Sequence, residues 1–169
     1  MSIAQSLLPE FDHEMATTRT LLERVPAAKA GWNPHSKSMT LGRLSTHIAE
    51  LLQWVNGTLR QTEIDVNPVG GPAFVAKPFE STPALLATFD ANVKAAREIL
   101  AATPDSEFFV PWSLKNAGKV EMTMPRIAVL RSFVLNHIVH HRGQLSVYLR
   151  LNDVPVPSIY GPTADTRLA

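Results

Sequence analysis

The stretch RIAVLRSFVLNHIVHHRGQLSVYLRLN, Arg126 to Asn152, decides how the whole chain is read. Wound at 3.6 residues per turn, it puts Leu130, Phe133, Val134, Leu145, Tyr148 and Leu151 on one side, with Arg131, Ser132, Arg142, Ser146 and Arg150 turned away from it. His137 and His141 fall in the middle of that apolar stripe. Positions four apart on a helix lie about 40° round and about 6 Å along the axis, so both imidazoles lean toward one point. An unpaired polar group in an apolar interior costs on the order of 1–3 kcal/mol, and two side by side double the demand for partners. Two solutions exist: each ring bonds a backbone carbonyl or a core hydroxyl, or the pair holds a metal ion.

Three further segments outward from this one have helical periodicity. Ile3 to Val25 sets Leu7, Phe11, Met15, Thr18, Leu22 and Val25 along one stripe before Pro26 stops it. Thr40 to Gln61 follows, with Ser38 or Thr40 as cap and Leu44, Ile48, Leu51, Trp54, Val55 and Thr58 on one face. His47 lies on that face too. Ser81 to Thr103 opens with Ser81-Thr82-Pro83, a cap and an early proline, and buries Leu85, Leu86, Phe89, Val93, Ala96 and Leu100. The fourth helix begins after Thr123-Met124-Pro125, and Pro155 and Pro157 prevent its continuation. Asp65 to Pro72 is a loop by its breakers, and about twenty residues in all join helices two and three, as in bundles with a crossover connection. Between Pro104 and Glu121, the run Asn116-Ala117-Gly118-Lys119 offers at most a small hairpin. These segments predict an all-α fold, a four-helix bundle with a long crossover between helices two and three, filling residues 1–169 as a single domain.

Composition narrows the chemistry. With no cysteine there is no thiolate ligand, cysteine nucleophile or disulfide, so any metal must be held by nitrogen and oxygen. Sixteen Lys and Arg against fifteen Asp and Glu leave a net charge of +1, and the basic residues are scattered, so nucleic acid is not an expected partner. The N-terminal residues show no basic, then apolar signal pattern, and nowhere does the chain approach the ~20 apolar residues of a membrane span. The expectation is a cytoplasmic protein that does not enter the membrane.

If helices two and four are neighbours, His47 meets His137 and His141. Three imidazoles suffice for zinc with one coordination position left open, and they suit nickel or iron(II) with additional waters. Around them stand secondary candidates. His140 is either a supporting residue or an exposed one. Gln144, close to the centre of the helix-four face, either orients a ligand or bonds a neighbouring helix. Glu50, one turn after His47, is either a general base or a surface carboxylate, the latter preferred. His13 is expected in solvent, His35 in a turn, and Trp54 in the core.

Trp32-Asn33-Pro34, then Met39-Thr40-Leu41-Gly42-Arg43-Leu44 with His47 three residues later, then Leu135-Asn136-His137-Ile138-Val139-His140-His141-Arg142-Gly143-Gln144, and finally Pro157-Ser158-Ile159-Tyr160-Gly161-Pro162-Thr163-Ala164-Asp165 resemble in order and spacing the DinB-like family. The resemblance spans nearly the whole chain. It implies a metal triad on His47, His137 and His141, helices running up, down, down, up, and frequent homodimers. It also implies that Trp32 and Tyr160, which lie in family-like segments outside the helices, close over the site. Relatives of this kind are linked to S-transfer from low-molecular-weight thiols such as bacillithiol or mycothiol, or to maleylpyruvate isomerisation. The expected function is therefore that of a divalent-metal-binding protein acting as a transferase or hydrolase that activates a small thiol or water against a small electrophile. The alternative is a non-catalytic metal- or ligand-binding stress-response module.

Overall fold

The computed structural model describes residues 2–72 and 75–166. Helix α1, Ile3–Leu22, opens on a capping box in which Ser2 accepts from the Gln5 amide while the Gln5 side chain accepts from the Ser2 amide. Its inward face is the one the period requires: Leu7, Phe11, Met15, Thr18 and Leu22 are all buried. Helix α4, Thr82–Ala102, is capped by Ser81 with Pro83 in its first turn, and buries Leu85, Phe89, Ala96 and Leu100.

The second helical segment is divided. Thr40 caps α2, Leu41–Glu50, and α3 runs Gln53–Arg60. Between them Trp54 and Val55 donate three residues back, to the Leu51 and Leu52 carbonyls, so the chain tightens for one turn. The Ala49 carbonyl, near the end of α2, is taken by Asn92 of α4 at 2.9 Å. The fourth segment is also composite: α5, Arg126–Val129, passes through a wide π turn, Leu130–Leu135, into α6, Asn136–Leu151. Helix α4 packs against α1, α2 and α3, while α6 packs against α1 and α2. Helix α6 therefore has two covered faces.

The all-α expectation is overturned by a three-stranded sheet, which makes the fold mixed. Strands β1, Glu63–Asp65, β2, Pro111–Asn116, and β3, Lys119–Pro125, lie in the order β1-β2-β3, with β1 parallel and β3 antiparallel to β2. The hairpin between β2 and β3 turns on Ala117 and Gly118, at φ 50° and 78°, the positive pair a tight two-residue hairpin requires. Asp65 binds this turn to the crossover: its carboxylate accepts from the Asn67, Ala117 and Gly118 amides at 3.0, 3.1 and 2.7 Å. Those bonds, Asn67's first, hold its pKa below the usual carboxylate range. Trp112 of β2 is fully buried and donates from Nε1 to the Gly57 carbonyl of α3 at 3.2 Å, so the sheet is fastened to the helix that follows the His47 segment. Among the described residues no helix is long and apolar enough to cross a membrane.

Candidate metal centre

Packing of α2 against α6 brings His47 to His137 and His141. The ring centroids stand 5.3 Å apart for His47 and His137 and 4.6 Å for each of the other two pairs. One nitrogen from each ring falls within 4.8 Å of the others, and among the described residues no carboxylate or further histidine joins the group. Nitrogens sharing one ion sit roughly 3–3.5 Å apart when each bond is about 2.0–2.1 Å, so small rotations bring this set onto a common centre.

The protonation pattern fits a cation. Gln144 Oε1 can only accept, so His141 Nδ1, at 2.7 Å, donates to it and leaves Nε2 as a lone pair. That lone pair lies 2.9 Å from His137 Nε2. All three rings are held below the ordinary histidine pKa. Burial pushes His47 down to about 4, helped by the nearby His141, Arg43 and His137. Burial is likewise the first cause for His137 and His141, partly offset by the Phe133 backbone and by Gln144 respectively. Neutral rings are what nitrogen coordination of a divalent ion needs, and His141 turns a lone pair toward its neighbour.

His47 forms part of the wall of an open cleft of about 740 Å³. Arg43, Glu50 and Trp54 from the helices face Gln61, Ile64 and the loop through Pro68 across it. Glu50 is neither free nor fully exposed: Oε2 accepts from Arg43 at 3.0 Å and Oε1 from the Lys77 amide at 3.2 Å. His140 is exposed, with its Nε2 facing the Gln144 amide nitrogen at 3.2 Å. Gln144 thus joins His140 to His141.

Two aromatic candidates, Trp32 and Tyr160, are not among the residues lining this cleft. Trp32 packs edge-on against Tyr148, 5.5 Å between centroids and two turns beyond His141. Tyr160 hydrogen-bonds both Glu14 and Arg142, and the Arg142 guanidinium carbon sits 4.9 Å from its ring centroid. Arg142 itself, placed off the apolar stripe by periodicity, is 1% exposed and paired with Glu14 at 2.6 Å. The reason is the second covered face of α6, which looks onto α1. Leu151, expected on the stripe, is exposed, and His13 and His35 are in solvent. Sequence reasoning passed over Arg43 as a cleft residue, although its position one turn before His47 was the available signal.

A model described as the DinB family matches residues 1–167. The structure is similar to a crystal structure of a DinB-like protein from Bacillus cereus, with TM-score 0.70, 20% identity, and coverage of 92% of this chain and 97% of that one. A DinB-like protein from Bacillus subtilis is comparable, with TM-score 0.69, 18% identity, and coverage of 91% and 96%. Among curated proteins none matches the sequence.

Proposed function

The chain belongs to the DinB family, and from that premise we propose that it is a divalent-metal-dependent transferase joining a low-molecular-weight thiol to a small electrophile. The observation that carries this reading is the convergence of three neutral imidazoles, with no fourth protein ligand among the described residues, on the edge of an open cleft. His47, His137 and His141 would hold zinc, nickel or iron(II), and Gln144 fixes the His141 ring so that Nε2 faces inward. A divalent ion held there supplies a Lewis acid that lowers the pKa of a thiol or water admitted to the open position. The cleft admits the electrophile beside His47, between Trp54 and the Ile64 side.

A purely structural clamp is the weaker reading. Leu44 and Ile48 of α2 and Ile138 and Leu145 of α6 already share one apolar core, so an ion is not needed to join the two helices. The test supplies zinc, nickel or iron(II) and a small thiol, then follows thioether formation with an aryl chloride and release of chloride. The wild type should accelerate the reaction, and His137→Ala should return it to the uncatalysed rate with little change in melting of the metal-free protein. Equal rates for both proteins would remove the catalytic reading, and collapse of the fold on metal removal would favour the clamp.

A further inference from the structure

Arg43 lies one turn before His47 on α2 and lines the same cleft. Its guanidinium uses Nη1 on Thr46 Oγ1 at 3.2 Å and on Glu50 Oε2 at 3.0 Å, while Nε and Nη2 have no partner among the described residues. A guanidinium carries five N–H donors in a planar fork, so one carboxylate does not exhaust it. Two acids also line the cleft, and both are engaged. Glu50 divides its oxygens between Arg43 and the Lys77 amide, and Asp65 accepts from three backbone amides. Apart from the histidine, Arg43 is the one basic side chain among the described residues that line the cleft. Its charge reaches the rings of both His47 and His141.

Resting on the reading of the triad as an open metal centre, we propose that Arg43 determines specificity by selecting a thiol substrate that carries a carboxylate. Nε and Nη2 take the carboxylate while the sulfur lies at the triad. The bonds of Arg43 to Thr46 and Glu50, on either side of His47 in α2, hold the guanidinium alongside the triad, which suits a short link of two or three carbons between sulfur and carboxylate and makes the two contacts simultaneous. Glu50 holds the guanidinium in place and also competes for it, so its removal strengthens the subsite.

The test titrates 3-mercaptopropionate and its neutral amide, 3-mercaptopropionamide, into zinc-loaded protein by calorimetry. The carboxylate thiol should bind about tenfold or more tightly than the amide, as a charge-assisted hydrogen bond allows. Arg43→Gln should abolish that gap, Arg43→Lys should narrow it, and Glu50→Gln should widen it. Equal affinities in the wild type, or a gap that persists in Arg43→Gln, would overturn the proposal. If Arg43→Gln loses its fold, the Lys and Glu50→Gln variants, with opposite expected signs, carry the test. Propionate titrated into zinc-free protein separates the two claims. Arg43-dependent propionate binding without zinc uptake supports the carboxylate subsite and overturns the metal centre, whereas zinc uptake with equal affinity for the two thiols overturns the subsite and leaves the metal centre standing.

Discussion

His141 owes its orientation to one amide: with Nδ1 donating to Gln144 Oε1, its Nε2 is turned to His137 and His47 as an acceptor. Hydrogen-bond partners of metal-binding histidines commonly contribute 10–100-fold in affinity, so Gln144→Leu should lower zinc affinity by roughly that factor in a competition titration with a chelating dye. Melting should change little, and unchanged affinity would mean that packing alone holds the ring. At this scale the sequence was informative where periodicity applied. His137 and His141 stand on the apolar stripe and His47 on another, so they could meet only if the two helices were neighbours, and α2 does pack on α6. Periodicity could not report Arg142, because its burial depends on α1 lying against a second face of α6, nor the place of Tyr160, which follows from its bonds to Arg142 and Glu14.

Elements place these residues through close backbone approaches. Gly42, the second residue of α2, donates its amide to the Ala30 carbonyl at 2.8 Å, and a Cβ built there would lie 2.8 Å from Phe79 Cβ and 3.1 Å from Ala30 Cβ and O. Alanine normally favours a helix over glycine by about 1 kcal/mol, but crowding of rigid neighbours costs about 1–3 kcal/mol. Gly42→Ala should therefore destabilise the protein by up to about 2 kcal/mol in urea unfolding, and a gain in stability would show that the crossover yields freely. Helix existence was legible from caps and stripes, with Thr40 and Ser81 acting as read. The break at Leu51 and Leu52 and the π turn at Leu130–Leu135 were not, since neither carries a proline, and the Ala49 carbonyl beside the first is taken by Asn92 from a helix distant in sequence.

For the whole molecule, the mixed sheet was legible only at its hairpin, Asn116 to Lys119, and not in its remaining strand, β1. Its first strand has three residues, too few for alternation to register, and it is defined by pairing with a strand about fifty residues later in a way no local pattern encodes. Acid response is also a property of the assembled molecule. Unfolded histidines protonate near 6.5, whereas His47 in the fold does so at about 4 and its two partners are also lowered. Across that window the unfolded chain binds more protons, so stability contributed by the neutral rings is present above about 6.5 and is lost as pH falls toward 4. The urea midpoint of metal-free wild type should fall over that range relative to His47→Ala, and parallel profiles would contradict the lowered values. His47, His137 and His141 are expected to form one metal site. Elemental analysis of protein purified without chelator and reconstituted with zinc, nickel or iron(II), with His47→Ala, His137→Ala and His141→Ala alongside, tests it most directly. One divalent ion per wild-type chain and almost none in each variant is the predicted result. A wild type that takes up no metal, or variants that retain a full equivalent, would contradict it.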